Sequence, residues 1–226
     1  ALGVGQLSVG LVDPDTLTAF GVGAVIISLA VTPVALSAAA APPIVQAPEP
    51  MSLRRLFAIV PTGVVTSLLV GVAHGSFLGL SAVYATRGGL SPAEIGAFVA
   101  LPTLGSLLLQ VPISAASDDL DRRAVGAAAA IAAGGAAVLL VVSEVGSPPS
   151  MLAMVLIGGT TYPLYSIAGA YTNDWVPTAQ MTAAASQLVV VLGVGAFVGP
   201  LLTSILMGAI GNVGFAWMIV GVHVMI

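Results

Sequence analysis

Apolar residues run along this chain in long blocks separated by short polar breaks. The blocks cover about Leu17 to Ala41, Leu56 to Ala85, Ala93 to Ala116, Val125 to Ser143, Met151 to Tyr171 and Met181 to Ala209. A further block begins near Val213 and is still apolar at Ile226, and Ala1 to Val12 reads as the tail of an earlier one. An uncharged run of about 20 residues crosses a hydrocarbon layer roughly 30 Å thick as a helix. The pattern therefore predicts an all-α, polytopic membrane helix bundle. No basic leader or small-residue cleavage site precedes the first block, so it does not read as a signal peptide. Both ends read as cuts, and the chain is expected to be an internal piece of a longer protein.

The breaks hold the turn residues and almost all the charge. They are Asp13-Pro14-Asp15, the stretch APPIVQAPEP from Ala41 to Pro50, Arg87-Gly88-Gly89, SDDLDRR from Ser117 to Arg123, EVGSPP from Glu144 to Pro149 and NDWVP from Asn173 to Pro177. Irregular backbone belongs where water or protein satisfies it, so these are loops. Positively charged loops stay in the cytoplasm. Arg54, Arg55, Arg122 and Arg123 fall on one side against a lone Arg87 on the other, which places the proline-rich and SDDLDRR loops inside and Asp13, Asp15, Glu94 and Glu144 outside.

Composition sharpens this picture. Of 226 residues, 58% are hydrophobic and only 6% charged, against about 25% charged in soluble globular domains. Disorder is excluded by the same numbers. Lysine is absent and the arginines form no basic surface, which excludes nucleic acid. Without cysteine there is no disulfide, thiolate metal site or cysteine nucleophile. No cofactor and no metal site is expected. The glycine strings GVGQLSVG (Gly3 to Gly10) and GVGAFVG (Gly193 to Gly199) lack the strand before and the acid after that a dinucleotide fingerprint needs.

Within the blocks, small residues four apart let helix backbones approach closely. Gly71, Gly75 and Gly79 form one such row and Gly195 and Gly199 another, with Gly126, Ala130 and Gly134 similar. Pro33, Pro61, Pro102, Pro163 and Pro200 lie inside apolar blocks, where a missing backbone donor permits a bend.

Candidate chemistry is sparse. His74 is the one ionisable side chain well inside a block, since His223 falls near the chain end, and ionisable groups at membrane depth are functional candidates. Ser67, Gly71, His74 and Ser81 share a helical face that would line a water-filled route; a neutral histidine bonded to a neighbouring helix is the plainer alternative. Tyr162, Tyr165, Ser166 and Gly169 form a second stripe suited to an apolar pocket with a few placed polar groups. Tyr171 and Trp175 suit interface anchors. Gln187 beside Ser186 is a further polar candidate. The spans contain no carboxylate, so a proton relay within this stretch would be His74. The SDDLDRR cluster can form charge-assisted bonds to helix ends and within itself.

That cluster resembles the hallmark loop of the major facilitator superfamily, of the form G-x-x-x-D-R/K-x-G-R/K-R/K. Asp118, Arg122 and Arg123 match, while Ser114, Asp119 and Asp121 depart from the pattern, as the second-half copy of this loop often does. PPIVQAPEP resembles the linker between two six-helix halves, GAFVGP (Gly195 to Pro200) the glycine-proline pattern of the eleventh helix, and YPLYSIAGAYTNDWVP (Tyr162 to Pro177) the YcaD-like bacterial branch. The resemblance implies the end of helix 5 through the start of helix 12. Residues 1–41 would close the N-terminal half, 42–52 form the cytoplasmic linker, and 53–226 form the C-terminal half of a major facilitator fold with its last helix truncated.

It further implies a secondary active transporter of a small organic solute, multi-pass in the cell inner membrane, working by alternating access. Helices 7, 8, 10 and 11 would border the cavity, making His74, Ser67, Tyr162, Tyr165, Ser166 and Gln187 substrate-binding candidates. Asp118, Arg122 and Arg123 would latch one conformation, and Gly71, Gly75, Gly195 and Gly199 would pack helices. The implied partners are the small-molecule substrate, the lipid bilayer and the missing N-terminal half of the same polypeptide. The other classes considered are an intramembrane enzyme and a noncatalytic membrane subunit. An enzyme would need a nucleophile with a base in reach or a metal-ligand cluster, and no Gly-x-Ser-x-Gly elbow or paired metal histidines occur.

Overall fold

The computed structural model describes residues 17–35 and 49–226. The expected helix tail over 1–12, Asp13, Asp15 and most of the proline-rich linker lie outside the described residues. Every regular element among the described residues is a helix: α1 (Thr18–Ala35), α2 (Leu53–Ile59), α3 (Pro61–Arg87), α4 (Pro92–Asp119), α5 (Arg122–Val142), α6 (Pro148–Asn173), a 3-10 turn (Thr178–Gln180), α7 (Met181–Ile210) and α8 (Gly214–Met225). Five of them, α3 to α7, are long and apolar enough to cross a membrane. Their outward faces carry large apolar side chains such as Leu107, Val111, Phe197 and Ile205, each 70% exposed or more, a surface that lipid rather than water solvates.

Local chemistry sets the boundaries. The block read as starting at Leu56 is two helices, because Pro61 offers no N–H to a preceding helix and drives the residue before it out of the helical region. Val60 sits at φ −139°, and Pro61 opens α3 where an amide would be unpaired anyway. Pro61 is therefore a helix start, not a bend within a span, whereas Pro102, Pro112, Pro163 and Pro200 do lie inside helices. Ser91 caps α4: its backbone N–H and hydroxyl both donate to Glu94 Oε2, at 2.8 and 2.6 Å. Asp121 caps α5 by accepting the Arg123 backbone N–H at 2.9 Å. Gly211, at φ +80°, makes the turn from α7 to α8 in a region that side-chain-bearing residues avoid.

Antiparallel succession places Arg54, Arg55, Arg122, Arg123 and Asp174 at one end of the bundle and Arg87, Glu94 and Glu144 at the other. The first is called the arginine-rich end below.

Two close helix pairs define the architecture. Along α3 and α7, a Cβ built at Gly71 would land on the Leu192 carbonyl, one at Gly75 on the Ala196 carbonyl, one at Gly195 on the Leu68 carbonyl and one at Gly199 on the Val72 carbonyl. The four glycines read from sequence as packing residues thus form one reciprocal seam. Thr203 Oγ1 lies 2.8 Å from Ser76 Oγ across it. Along α4 and α6 a second seam joins Gly105 to the Val155 carbonyl and Gly158 to Pro102; it was not read from sequence because its glycines do not recur at four-residue spacing. The expected third row is not a seam. A Cβ at Gly126 would meet only Ile167 at 3.7 Å, and one at Gly134 only His223 at 3.6 Å, which is ordinary side-chain contact. α3 and α6 lie at the centre of the bundle, and toward the Arg87 end Phe77, Tyr84, Phe98, Met154, Ile157 and Phe215 fill the space among α3, α4, α6 and α8.

Candidate functional site

Midway along α3, His74 meets α6. Its ring lies on that of Tyr162, also midway along its helix, with centroids 4.4 Å apart and planes at 36°. His74 Nε2 is sealed from solvent and has no hydrogen-bond partner among the described residues. An unpaired ring nitrogen at this depth is costly in an apolar surround and is therefore a candidate to meet something else. The Tyr162 hydroxyl is within hydrogen-bonding reach of Thr103 on α4, so one ring pair brings three helices to a point.

The histidine set aside near the chain end completes this centre. His223 is buried on α8 and bonded to Thr161, the residue before Tyr162. Its Nδ1 lies 2.8 Å from the Ile219 carbonyl oxygen, which only accepts, so Nδ1 carries the proton and Nε2 of the neutral ring accepts from the Thr161 hydroxyl at 2.9 Å. His223 is thus fully paired where His74 is not. Thr161→Val, which keeps shape and removes the donor, is expected to lower stability by about 1 kcal/mol, measured by thermal unfolding in detergent against Thr66→Val. The same signal that singled out His74, an ionisable residue in an apolar run, applies to His223. Thr103 and Thr161 carry no sequence signal of their own.

The remaining candidates separate. Ser67 and Ser81 are buried and donate to carbonyls of their own helix, Gly63 at 2.8 Å and Phe77 at 2.5 Å, while Gly71 lies against Leu192. Of that stripe only His74 has a free polar atom. Tyr165 is half-buried and packs against two buried clusters, one holding Leu56, Val64 and Leu188 and the other Val70, Ala129 and Leu164. Ser166 is exposed. Gln187 Nε2 donates to the Met51 carbonyl at 3.1 Å, and Gln180 Nε2 donates to Glu49 at 2.9 Å. These bonds moor the segment before α2 to the start of α7.

At the arginine-rich end, Arg122 ties three elements together. Its Nη1 donates to Asp118 at 2.9 Å and to Ser117 at 3.3 Å, and its Nε donates to Asp174 Oδ2 at 2.9 Å. Asp118 ends α4, Arg122 begins α5 and Asp174 caps α6, so one guanidinium clamps the ends of all three. Arg123 stands apart from this triad. Its backbone N–H serves the Asp121 cap, and the residue lines a cavity of about 210 Å³ with Thr62, Thr66, Arg122 and Tyr171. Asp174, 52 residues from Arg122 in sequence, is joined to it only through the antiparallel return of α5 and α6.

Comparison with known proteins places the chain in a family. The family model described as Major Facilitator Superfamily matches residues 63–226. The chain is 28% identical over 211 residues to an MFS-type transporter of Yersinia pestis (strain Pestoides F), covering 90% of this chain and 53% of the relative. It is 29% identical over 145 residues to the MFS-type transporter YcaD of Escherichia coli O139:H28, covering 64% of this chain and 37% of the relative. The chain spans about half the length of the first of these curated relatives.

Proposed function

The chain belongs to the Major Facilitator Superfamily, and from that we propose that it forms the C-terminal half of a secondary active transporter that moves a small organic solute by alternating access. The observation that carries this reading is the His74–Tyr162 pair, a polar point midway across the bundle with one ring nitrogen unpartnered among the described residues. Half-helices or helix faces meeting at mid-depth are where a rocking transporter holds its cargo. The arginine-rich end is the cytoplasmic end on this reading, the membrane is the cell inner membrane, and the Asp118–Arg122–Asp174 clamp holds this half as one body during rocking. The relatives' printed names, MFS-type transporter, support transport in general.

The test is counterflow in proteoliposomes holding the full-length protein, across a panel of labelled amino acids, sugars and organic acids. Labelled solute accumulating transiently against its unlabelled form supports the reading. Chemical conversion of a solute without vectorial movement would overturn it in favour of an intramembrane enzyme. His74→Ala is expected to lower exchange about tenfold, the effect of one lost hydrogen bond worth about 1.4 kcal/mol, or to change its pH profile. Unchanged rates across pH would return His74 to a packing role.

A further inference from the structure

The short helix α2 is not needed to cross the membrane. α3 runs 27 residues from Pro61 to Arg87, about 40 Å at about 1.5 Å per residue, which already exceeds a hydrocarbon layer of roughly 30 Å. The seven residues of α2, LRRLFAI, precede it and therefore lie at headgroup level. Ser52 starts α2 as a helix of its own, its hydroxyl oxygen accepting the Arg55 backbone N–H at 3.3 Å.

The sides of α2 differ in chemistry. Leu56 is fully buried in the cluster that also holds Val64, Val176 and Leu188, which fixes α2 against α3 and α7. Next round the helix come Leu53 and Phe57, about 40° apart, 38% and 49% exposed. Arg54 follows, about 60° beyond Phe57, and Arg55 lies nearly opposite the Leu53–Phe57 strip. Both arginines are exposed, and neither guanidinium has an ion pair or hydrogen bond among the described residues. Several acids at the same end already have partners: Glu49 accepts from Gln180, Arg122 holds Asp118 and Asp174, and Asp121 caps α5. Next to Val176 stands Trp175, 59% exposed, and an exposed tryptophan at the end of a span marks headgroup depth.

We propose that α2 lies in the plane of the interface and binds one anionic phospholipid, with Arg54 on the phosphate and Leu53 and Phe57 against an acyl chain. In that orientation every side meets what its chemistry fits. The Leu53–Phe57 strip faces the acyl chains, Leu56 faces α7, Arg54 falls to the outer side at phosphate depth, and Arg55 faces water. Interfacial helices bind through apolar area together with attraction to anionic headgroups. A guanidinium offers phosphate two parallel N–H donors. A zwitterionic headgroup carries its own cation beside the phosphate, which competes with Arg54, so the preferred lipid has a net negative charge. The apolar strip beside the arginine selects a lipid over a soluble phosphate. This site needs the membrane but is independent of what the protein moves.

The full-length protein in detergent is titrated with phosphatidylglycerol or phosphatidylcholine, and the first bound lipid is followed by native mass spectrometry. The parent is expected to bind phosphatidylglycerol about fivefold tighter, the effect of one basic residue on one anionic headgroup. Arg54→Gln should abolish that preference, Arg55→Gln should reduce it less, and Arg87→Gln at the other end should leave it unchanged. Phe57→Ser is expected to weaken both lipids about threefold through lost apolar contact. Equal affinity of the parent for the two lipids would overturn the proposal and leave Arg54 to water or to another segment of the chain. A preference that survives Arg54→Gln would overturn it as well. Equal losses at Arg54 and Arg55 would refute the in-plane orientation, and equal losses at Arg54 and Arg87 would reduce the site to charge pairing at any exposed arginine. Glycerol phosphate that displaces phosphatidylglycerol as readily as the lipid itself does would make the ligand a soluble anion instead.

Discussion

Gly75→Ala or Gly195→Ala should lower the stability of this protein by about 3 kcal/mol, at the upper end of what one inserted methyl group does to a packed interior. The reason lies in what the methyl would meet. At Gly75 it would fall on the Ala196 carbonyl and at Gly195 on the Leu68 carbonyl, and both are backbone atoms of the facing helix. Side chains move aside by changing rotamer, but a carbonyl held in a helix moves only with the helix. Separating α3 from α7 by the needed distance forfeits dispersion contacts along the whole seam, and it stretches the Ser76–Thr203 hydroxyl contact of 2.8 Å. In lipid no hydrophobic force compensates, because the tails are as apolar as the helices.

The control is internal. Gly193 lies two residues from Gly195 on the same helix, and a Cβ there meets nothing within 4 Å, so Gly193→Ala should be neutral or slightly stabilising through its gain in helix propensity. Thermal unfolding of the purified protein in detergent would show the contrast. Equal melting of the 193 and 195 variants would mean that the seam does not carry stability.

The seam also shows what the sequence makes legible. Gly71, Gly75, Gly195 and Gly199 recur every fourth residue, so they share a helix face, and a face of missing side chains has a physical meaning that needs no partner to be known. The same holds for the placement of the five long helices α3 to α7, which follows from run length. Gly126, Ala130 and Gly134 have the same spacing yet meet Ile167 and His223 side chains, because spacing says that a helix is small on one side but not that another backbone is there.

The site is less legible for the same reason. His74 and Tyr162 were each conspicuous on their own helices, but their stacking, the Thr103 contact and the Thr161–His223 bond are relations between α3, α4, α6 and α8. Hydroxyls were a poor guide. Several in the spans, such as Ser67, Ser81 and Thr172, close on carbonyls four residues back, so a serine inside a membrane helix can satisfy itself and does not by itself mark a path.

On the proposed transport reading, Arg122→Ala in the full-length protein should slow turnover about fivefold while leaving solute binding almost unchanged. The clamp sits at the end of the bundle, whereas the His74–Tyr162 centre lies midway across it. Removing the guanidinium leaves Asp118 and Asp174 as two like charges that previously shared one cation. Each pair alone is modest, because Asp118 is 70% and Asp174 51% exposed and water screens them. Their joint effect on the equilibrium between the two states of the proposed transporter would be about 1 kcal/mol, a roughly fivefold change in population. Arg122→Lys keeps the charge but cannot present two donors to two carboxylates in fixed directions, so it should recover only part of the rate. The reversal Arg122→Asp with Asp174→Arg restores one pair and leaves Asp118 facing a new acid, so it too should fall short of the parent. A parent-like rate in Arg122→Ala would remove the clamp from the transport cycle. A raised Kd for solute with turnover intact would place Arg122 at the binding site instead.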